Sequence, residues 1–265
     1  MGEVYKGYSL NDAREEVAIQ IIQKDHFRDQ LDFFTRELMT LKKIKGKHVL
    51  EYKDILQTQS RFYIITKLCD GGNLNVKLRE KGGKLPEFEA LTILLQITEV
   101  FVELENMGLE DSTGKEFELF HGYMTPNSIL FDNGKACISD LGLYELVDYI
   151  RMIREKERPS IILESPYWKS PQILMDEAYT SKCDIWSLGI IFYGMLHGTV
   201  PYKASTAYSM VQLISKGLPK ISEELSEETR DLISKMLKSS EEERISRKEI
   251  LAHPAISKIG LSAED

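Results

Sequence analysis

Cysteine is scarce in this chain of 265 residues, which contains only Cys69, Cys137 and Cys183, spaced far apart. A sparse and odd set of cysteines argues against a secreted disulfide scaffold and against a zinc site. We therefore expect reduced thiols, mostly buried among apolar neighbours. A chain of this length buries a full hydrophobic core and needs no covalent or metal staple.

Long apolar runs are also missing. The most apolar stretch, residues 185–200, is interrupted by serine, glycine and histidine, so it falls short of the ~18 continuous apolar residues of a membrane span. The first residues lack the charged-then-apolar order of a signal peptide. Both absences predict a soluble, cytoplasmic protein with no membrane partner.

Positive charge is not in excess. The chain has 34 lysines and arginines against 42 aspartates and glutamates, which gives a formal net charge of −8. Nucleic-acid binders place clustered positive charge against phosphate, so an acidic chain without a basic run is a poor candidate for that class. We expect no nucleic-acid partner.

Hydrophobic patterning in the first third predicts strands with one helix among them. Residues 16–22 and 61–66 are short runs rich in β-branched and aromatic side chains, which predicts strands. Between these runs, apolar residues recur at three- and four-residue spacing from Phe27 to Leu41, which predicts an amphipathic helix. Residues 70–73 contain two glycines and predict a turn or hinge.

The rest of the chain is dominated by helical patterns. A helix is predicted over 86–107, with Pro86 well placed to open it. Residues 128–131 and 136–139 predict a β-hairpin, because the Asn-Gly pair between them is the favoured two-residue turn. Several amphipathic helices are predicted from residue 182 onward.

Short motifs occur in a fixed order along nearly the whole chain. Each is weak alone, whereas the order is a strong signal. The series is VYKG at 4–7, VAIQ at 17–20, Glu37, LCDGG at 68–72, HGYMTPNSIL at 121–130, SDLG at 139–142, SPYWKSPQ at 165–172, DIWSLG at 184–189 and Arg244. Taken together, it resembles the signature of the eukaryotic protein kinase superfamily, Ser/Thr type.

The resemblance implies an α+β, two-lobed protein-kinase-like fold that forms one kinase domain. Residues 1–69 match a small β-rich N-lobe, and residues 70–265 match a larger helical C-lobe. The first strand and most of the glycine-rich loop are missing from this match, because Gly2 alone corresponds to one of the family's three glycines.

The chain departs from the family where the chemistry is done. Gln20 replaces the lysine that grips the nucleotide phosphates, so Glu37, which matches the partner of that lysine, loses its cation. Tyr123 replaces the aspartate that accepts the substrate proton. A phenol with an ordinary pKa of about 10 cannot serve as that base near pH 7. Thr125 replaces a lysine facing the transferred group, and Ser128 replaces the asparagine that holds a second Mg²⁺.

Three further departures concern the same regions. Asn127 lies one position before the asparagine of the family, and in a strand-like segment we expect its side chain on the opposite face. Gly122 replaces an arginine of the catalytic loop. Gln172 replaces a glutamate that pairs with the arginine matched by Arg244, so we expect a hydrogen bond in place of an ion pair.

Other family positions are filled. Asp140 matches the metal-binding aspartate, so the resemblance implies Mg²⁺ at this residue. The resemblance also implies a nucleotide site formed by Val4, Ala18 and Leu130 around the adenine, Thr66 at the back of the pocket, and a hinge from Lys67 to Cys69. A stacked column joining the lobes is matched by Leu41, Tyr52, His121, Leu141 and Asp184. We expect His121 to be a packed structural histidine and Asp184 to cap backbone N–H groups of the catalytic loop.

The positions that build this fold are therefore filled, while those that transfer phosphate are not. This contrast favours a pseudokinase that acts as a scaffold or allosteric partner in signalling, with a protein partner such as an active kinase or a substrate protein. ATP, held weakly with Mg²⁺, is the cofactor implied. The alternatives are an atypical Ser/Thr kinase that recruits other groups, and an ATP-binding sensor without turnover.

Overall fold

A four-stranded antiparallel sheet forms the N-terminal part of the protein in a computed structural model that describes residues 3–9, 15–27, 30–107, 119–141, 143 and 166–262. The strands β1 (Glu3–Tyr8), β2 (Glu16–Gln23), β3 (Tyr52–Gln57) and β4 (Arg61–Lys67) lie in the order β1-β2-β4-β3. The strands predicted at 16–22 and 61–66 are confirmed as β2 and β4.

One face of the sheet packs against helix α1 (Leu31–Leu41). Phe34 of this helix stacks on Phe27 at 3.8 Å between ring centroids and contacts Phe62 of β4 at 5.2 Å. The predicted helix thus begins four residues later than the apolar spacing suggested. Phe27 precedes it and still contributes its ring to the core, which is why it fits the helical pattern.

The C-terminal part begins with α2 (Leu74–Glu80) and α3 (Glu87–Glu105). The Asn73 side chain accepts a hydrogen bond from the Val76 N–H at 3.1 Å, so the predicted turn at 70–73 also supplies the N-cap of α2. Pro86 occupies the N-cap position of α3, which confirms the predicted start of this helix.

A two-stranded hairpin of β5 (Ile129–Asp132) and β6 (Lys135–Ile138) follows, as predicted. Its turn residues Asn133 and Gly134 have φ values of 48° and 77°. Positive φ at both positions matches the right-handed twist of the flanking strands. The remaining described α-helices span Pro171–Leu174, Lys182–His197, Ala207–Ile214, Glu227–Met236, Arg247–Leu251 and Pro254–Ser262.

The helix Lys182–His197 forms the centre of the helical part. Nearly all its side chains are buried, including Trp186 and the charged Asp184. The apolar run at 185–200 is therefore a core helix. Among the described residues, no helix has both the length and the apolarity needed to cross a membrane. A small antiparallel-sheet lobe and a larger helical lobe together give the α+β architecture expected.

Candidate functional site

Strand register places four of the predicted site residues on one face of the sheet. Val4 lies opposite Gln20 in the β1–β2 pair, and Ala18 lies opposite Thr66 in the β2–β4 pair. Directly opposed residues share a face, as do residues two apart on one strand. Val4, Ala18, Gln20 and Thr66 therefore line the same face. It offers apolar surface, a hydroxyl and an amide.

The hinge and the β5–β6 hairpin hold the other predicted nucleotide-contacting residues. Leu130 is half-buried on β5 and forms an isolated bridge with Asn73. Lys67 lies opposite Val17, so its side chain belongs to the other face of the sheet from Ala18. Its ammonium is 2.6 Å from the Asp132 carboxylate, and its N–H donates to the Glu51 carbonyl. Lys67 therefore brings no side-chain charge to the cleft face.

The buried carboxylate of Asp184 organises the loop at 121–123. It accepts hydrogen bonds from the backbone N–H groups of His121 at 2.6 Å and of Gly122 at 2.9 Å. The expected capping role of Asp184 is confirmed. Gly122 has a φ of 71°, a left-handed conformation that an arginine side chain rarely adopts.

His121 is fully buried, as expected of a packed structural histidine. Burial disfavours the imidazolium and lowers the pKa of His121 to about 4. The ring is therefore neutral at physiological pH. The Tyr123 N–H donates to His121 Nδ1 at 3.3 Å, so that nitrogen serves as an acceptor in the loop. Burial in the core and the hydrogen bond from the Tyr123 N–H account for the position of His121 without a catalytic role as proton acceptor.

Tyr123 lies against the segment that precedes the helix Pro171–Leu174. Lys169 Nζ lies 5.7 Å from the centroid of the Tyr123 ring, within range of a cation–π interaction. The neighbouring Trp168 carbonyl accepts a hydrogen bond from Ser187 Oγ at 2.6 Å, which ties this segment to the core helix. The position matched to the proton-accepting aspartate is thus an aromatic ring beside an ammonium.

The segment after Tyr123 is a turn of 3₁₀-helix, Pro126–Ser128, and the expectation of a strand there is wrong. Thr125 and Ser128 form a capping box that holds the turn. Thr125 Oγ1 accepts from the Asn127 N–H at 3.2 Å, and Ser128 Oγ accepts from the Thr125 N–H at 3.3 Å. The Ser128 hydroxyl is buried within the loop it stabilises.

Asn127 is turned to α2, where its Oδ1 accepts a hydrogen bond from Asn75 Nδ2 at 2.8 Å. Asn127 is exposed, whereas the adjacent Ser128 is buried. The carboxamide of Asn127 therefore does not replace the missing asparagine. The outcome agrees with the sequence argument, although a 3₁₀ turn and not strand alternation produces it.

Asp140 has a φ of 56°, a left-handed conformation in which aspartate is enriched among non-glycine residues. Its Oδ2 accepts a hydrogen bond from Ser139 Oγ at 3.1 Å. Burial raises the pKa of Asp140 above its usual range. Burial and, to a smaller extent, the negative charge of Asp140 raise the pKa of the Tyr52 phenol on β3.

These residues suit the adenine end of a Mg²⁺–nucleotide better than its metal end. The apolar positions on the cleft face suit an adenine ring. At the metal end Asp140 supplies a carboxylate, but Ser128 is used by Thr125 and Asn127 by Asn75. Within the described parts of the chain, no group of three or more His, Cys, Asp or Glu side chains is placed to hold a metal ion.

Gln172 and Arg244 form the expected hydrogen bond, with Nη2 of Arg244 3.0 Å from Gln172 Oε1. Arg244 is buried, and its guanidinium also donates to the carbonyls of Lys182, Lys238 and Ser239. Burial lowers the pKa of Arg244 to about 10, so it remains charged near neutral pH. An amide and carbonyl oxygens thus take the place of the family's glutamate, and the carboxylate of Glu241 lies 3.8 Å from Arg244 Nη1 as a second ion-pair partner.

Sequence reasoning missed Lys169 and Asn75, because their contacts with the catalytic loop come from distant parts of the chain. The sequence offered one signal for the Lys169 contact, a positive charge next to Trp168 in the motif at 165–172. Gly2, Gly142 and the side chains of Glu37 and Leu41 lie outside the described residues, so their predicted roles stay predictions.

Comparisons with known proteins agree with this architecture. The family model described as protein kinase domain matches residues 1–256. The chain is 32% identical over 230 residues to the "probable serine/threonine-protein kinase HSL1" of Saccharomyces cerevisiae, covering 84% of this chain and 14% of that protein. It is 30% identical to CDPK-related kinase 3 of Arabidopsis thaliana, covering 90% of this chain and 39% of that protein.

A third relative, serine/threonine-protein kinase cds1 of Schizosaccharomyces pombe, is 30% identical, with coverage of 84% of this chain and 47% of that protein. The chain therefore spans less than half the length of these curated relatives. The family match covers both lobes and every motif of the series up to Arg244. The chain belongs to the protein kinase domain family.

Proposed function

We propose that this kinase domain is impaired in phosphotransfer and acts by binding, as a scaffold or allosteric partner in signalling. One observation carries the proposal: Tyr123, which matches the proton-accepting aspartate in the motif series, is an aromatic residue with Lys169 Nζ 5.7 Å from its ring centroid. A phenol has an ordinary pKa of about 10 and is neutral near pH 7, so it cannot serve as the base that accepts the substrate proton.

The phosphate and metal positions support the same proposal. Gln20 provides an amide where the family has a cation, and Thr125 and Ser128 use their hydroxyls within the capping box. Phosphoryl transfer depends on positioning and on electrostatic stabilisation of developing charge. The cleft therefore lacks the charges that this reaction requires at these positions, and Asp140 is the retained polar one.

Weak nucleotide binding, in part dependent on Mg²⁺, is included in the proposal. Members of this family bind ATP with Mg²⁺, and Val4, Ala18 and Thr66 share the cleft face as adenine contact would require. Asp140 is the proposed metal ligand. The measurement is a thermal-shift titration with ATP, with and without Mg²⁺. If Asp140→Ala leaves the Mg²⁺-dependent part of the shift unchanged, the metal placement is wrong.

The direct test of impaired catalysis is a labelled-phosphate assay with purified protein. Active kinases turn over at ~1–100 s⁻¹, and loss of a positioned base alone costs ~10²–10⁴-fold. We expect a rate well below ~0.1 s⁻¹ on that scale. A matched pair of samples, the natural chain and the Asp140→Ala variant, controls for a contaminating kinase. Faster transfer that scales with protein concentration and disappears in the variant contradicts the proposal.

An active Ser/Thr kinase is the second candidate, favoured by the names of the relatives. It requires other groups to replace the missing lysine and base. The combined variant Gln20→Lys, Tyr123→Asp and Ser128→Asn separates the two. A gain of activity in this variant over an inert natural chain supports impairment, whereas activity in the natural chain that the variant does not increase supports the second candidate.

The proposed partner is a protein, either an active kinase or a substrate protein. The formal net charge of −8 disfavours nucleic acid as the partner. Because the chain spans less than half of its relatives' length, the partner of a longer protein can also contact other segments. Cross-linking of the purified domain followed by mass spectrometry identifies the contacted surface. If the partner cross-links only to surfaces far from the cleft between the two lobes, the result argues against the allosteric form of the proposal.

A further inference from the structure

Two of the three cysteines meet where the hinge passes the β5–β6 hairpin. Cys69 Sγ and Cys137 Sγ are 3.7 Å apart, although the residues are separated by 68 positions in the chain. Cys137 is buried on β6, and Cys69 is half-buried in the hinge, so one of the thiols is reachable from solvent. The third cysteine, Cys183, is buried in the core helix.

Backbone hydrogen bonds fix the frame that carries these thiols. The Gly71 N–H donates to the Phe131 carbonyl at 3.0 Å, and the Phe131 N–H donates to the Gly72 carbonyl at 2.9 Å. Cys137 is in register with Leu130 across the hairpin. Hinge and hairpin are therefore joined by two backbone hydrogen bonds that follow Cys69 in the chain. A disulfide bond is ~2.05 Å long, so the sulfurs need to approach by about 1.7 Å from their 3.7 Å separation.

The local charges make the two thiols chemically unequal. A hydrogen bond from the Cys137 S–H, assisted by the Lys67 ammonium, lowers the pKa of Cys69. The same bond, together with burial, raises the pKa of Cys137. Burial, Asp132 and Asp70 act in the opposite sense on Cys69, and the ammonium of Lys67 is itself paired with Asp132. Cys69 is accordingly the more nucleophilic and the more accessible sulfur.

We propose that Cys69 and Cys137 form a reversible oxidation site, in which a disulfide cross-links the hinge to β6. The oxidant is a peroxide. The Cys69 thiolate attacks one peroxide oxygen, the O–O bond breaks, and Cys69 becomes a sulfenic acid while the leaving hydroxide takes a proton to form water. The Cys137 sulfur then attacks the Cys69 sulfur, the S–O bond breaks, and a second water leaves with the thiol proton. The two thiols supply both electrons that reduce one peroxide.

The cross-link restrains the segment that connects the lobes, and it does so whether or not the domain transfers phosphate. Residues 69–73 gain a covalent tie to the hairpin in addition to their backbone hydrogen bonds. We expect slower amide hydrogen exchange in this segment after oxidation, because local opening of the hinge must now move β6 as well. A thiol reductant restores the original exchange rates.

Peptide mapping after treatment with hydrogen peroxide tests the site. The expected product is a peptide pair joining Cys69 to Cys137 within one chain, lighter by two hydrogen atoms and released by dithiothreitol. Cys183→Ser is the matched control and should cross-link like the natural chain. Cys69→Ser should not. We also expect oxidation to raise the Tm by ~5–10 °C, because a disulfide that closes a long loop stabilises the folded state and a more stable domain melts at a higher temperature.

Several results overturn the proposal. One is progression of Cys69 to sulfinic acid without a cross-link at Cys137. Another is a disulfide that includes Cys183 or joins two chains. A third is an equal Tm rise in Cys69→Ser. Cys69 is half-buried, so its serine variant is the one expected to keep the fold. Cys137→Ser serves as the second variant, with circular dichroism to verify folding.

Discussion

Gln172 offers a quantitative test of how this domain binds the buried Arg244 through an amide at the position of the family's glutamate. Its side chain makes two hydrogen bonds of opposite polarity. Oε1 accepts from Arg244 Nη2 at 3.0 Å, and Nε2 donates to the Ser239 carbonyl at 2.7 Å. The amide is thus matched at both ends. Truncating Gln172 to alanine and replacing it with the family's glutamate should therefore have different effects on the free energy of unfolding.

The Gln172→Ala variant removes both bonds. A hydrogen bond to a charged group contributes ~1.5–3 kcal/mol and a neutral one ~0.5–1.5 kcal/mol. Arg244 keeps its other carbonyl acceptors, and the bond to Ser239 is exposed. We therefore take the low end of each range and expect the free energy of unfolding to fall by about 2 kcal/mol. For a domain of this size, the Tm should fall by ~4–8 °C.

The Gln172→Glu variant restores the family's residue, yet we expect it to change the free energy of unfolding by less than ~1 kcal/mol. One carboxylate oxygen gains charge attraction to Arg244. The other replaces the Nε2 donor and faces the Ser239 carbonyl at a separation of 2.7 Å in the natural protein. A lost bond and repulsion between two oxygens offset the gain.

Urea denaturation followed by fluorescence measures all three proteins, with the midpoint compared at an unchanged m-value. Gln212→Ala is the matched control, because Gln212 is an exposed glutamine whose Nε2 donates to the Tyr208 hydroxyl at 2.8 Å. Its effect should stay within ~0.5 kcal/mol. Stabilisation by Gln172→Glu of more than ~2 kcal/mol, or an unchanged stability of Gln172→Ala, contradicts the proposed role of the two Gln172 hydrogen bonds.

Three further predictions concern the catalytic loop and its neighbour Asp140. Because the folded-state pKa of Asp140 is raised, folding is favoured by this group below its unfolded pKa and loses that contribution as the pH rises through the folded value. Asp140→Asn should therefore raise the Tm at pH 7, and this difference should vanish in acid; a lower Tm at pH 7 contradicts it. His121 has its folded pKa lowered to about 4, so its contribution to stability is complete above its unfolded pKa near 6.5 and is lost as the pH falls towards 4. NMR should find a neutral imidazole at about pH 6, and a ring that titrates there would be inconsistent with burial. Tyr123→Asp alone should not produce kinase activity, since the groups of such a site act as a unit; robust labelled-phosphate transfer by this single variant counts against impairment at the other positions.

The parts of the fold that were predictable have strong local signals. The β2 and β4 runs are rich in β-branched residues, and the Asn133-Gly134 turn requires two residues that tolerate positive φ. Strand β1 was not assigned from its pattern because its side chains are almost all exposed, so no alternation of apolar and polar residues marks it. Strand β3 has few buried positions and gave equally little signal.

The candidate site divides in the same way. The Asp184 cap and the Gln172–Arg244 bond follow from motif positions, since each motif residue has one structural task in this family. The contact of Lys169 with the Tyr123 ring and the turning of Asn127 to Asn75 are decided by tertiary packing. The spacing of residues within one segment does not predict contacts between distant segments. A motif match does not predict them either, because it compares one position at a time with the family.

The carboxylate of Asp184 has a consequence for recognition. It holds the His121 and Gly122 amides from within the core, so the loop takes its shape from the folded chain and needs no bound nucleotide to order it. A protein that docks on this loop meets a surface already in its final conformation, and association incurs little cost for ordering it. Such a partner should bind the empty domain and the nucleotide-loaded domain with similar affinity.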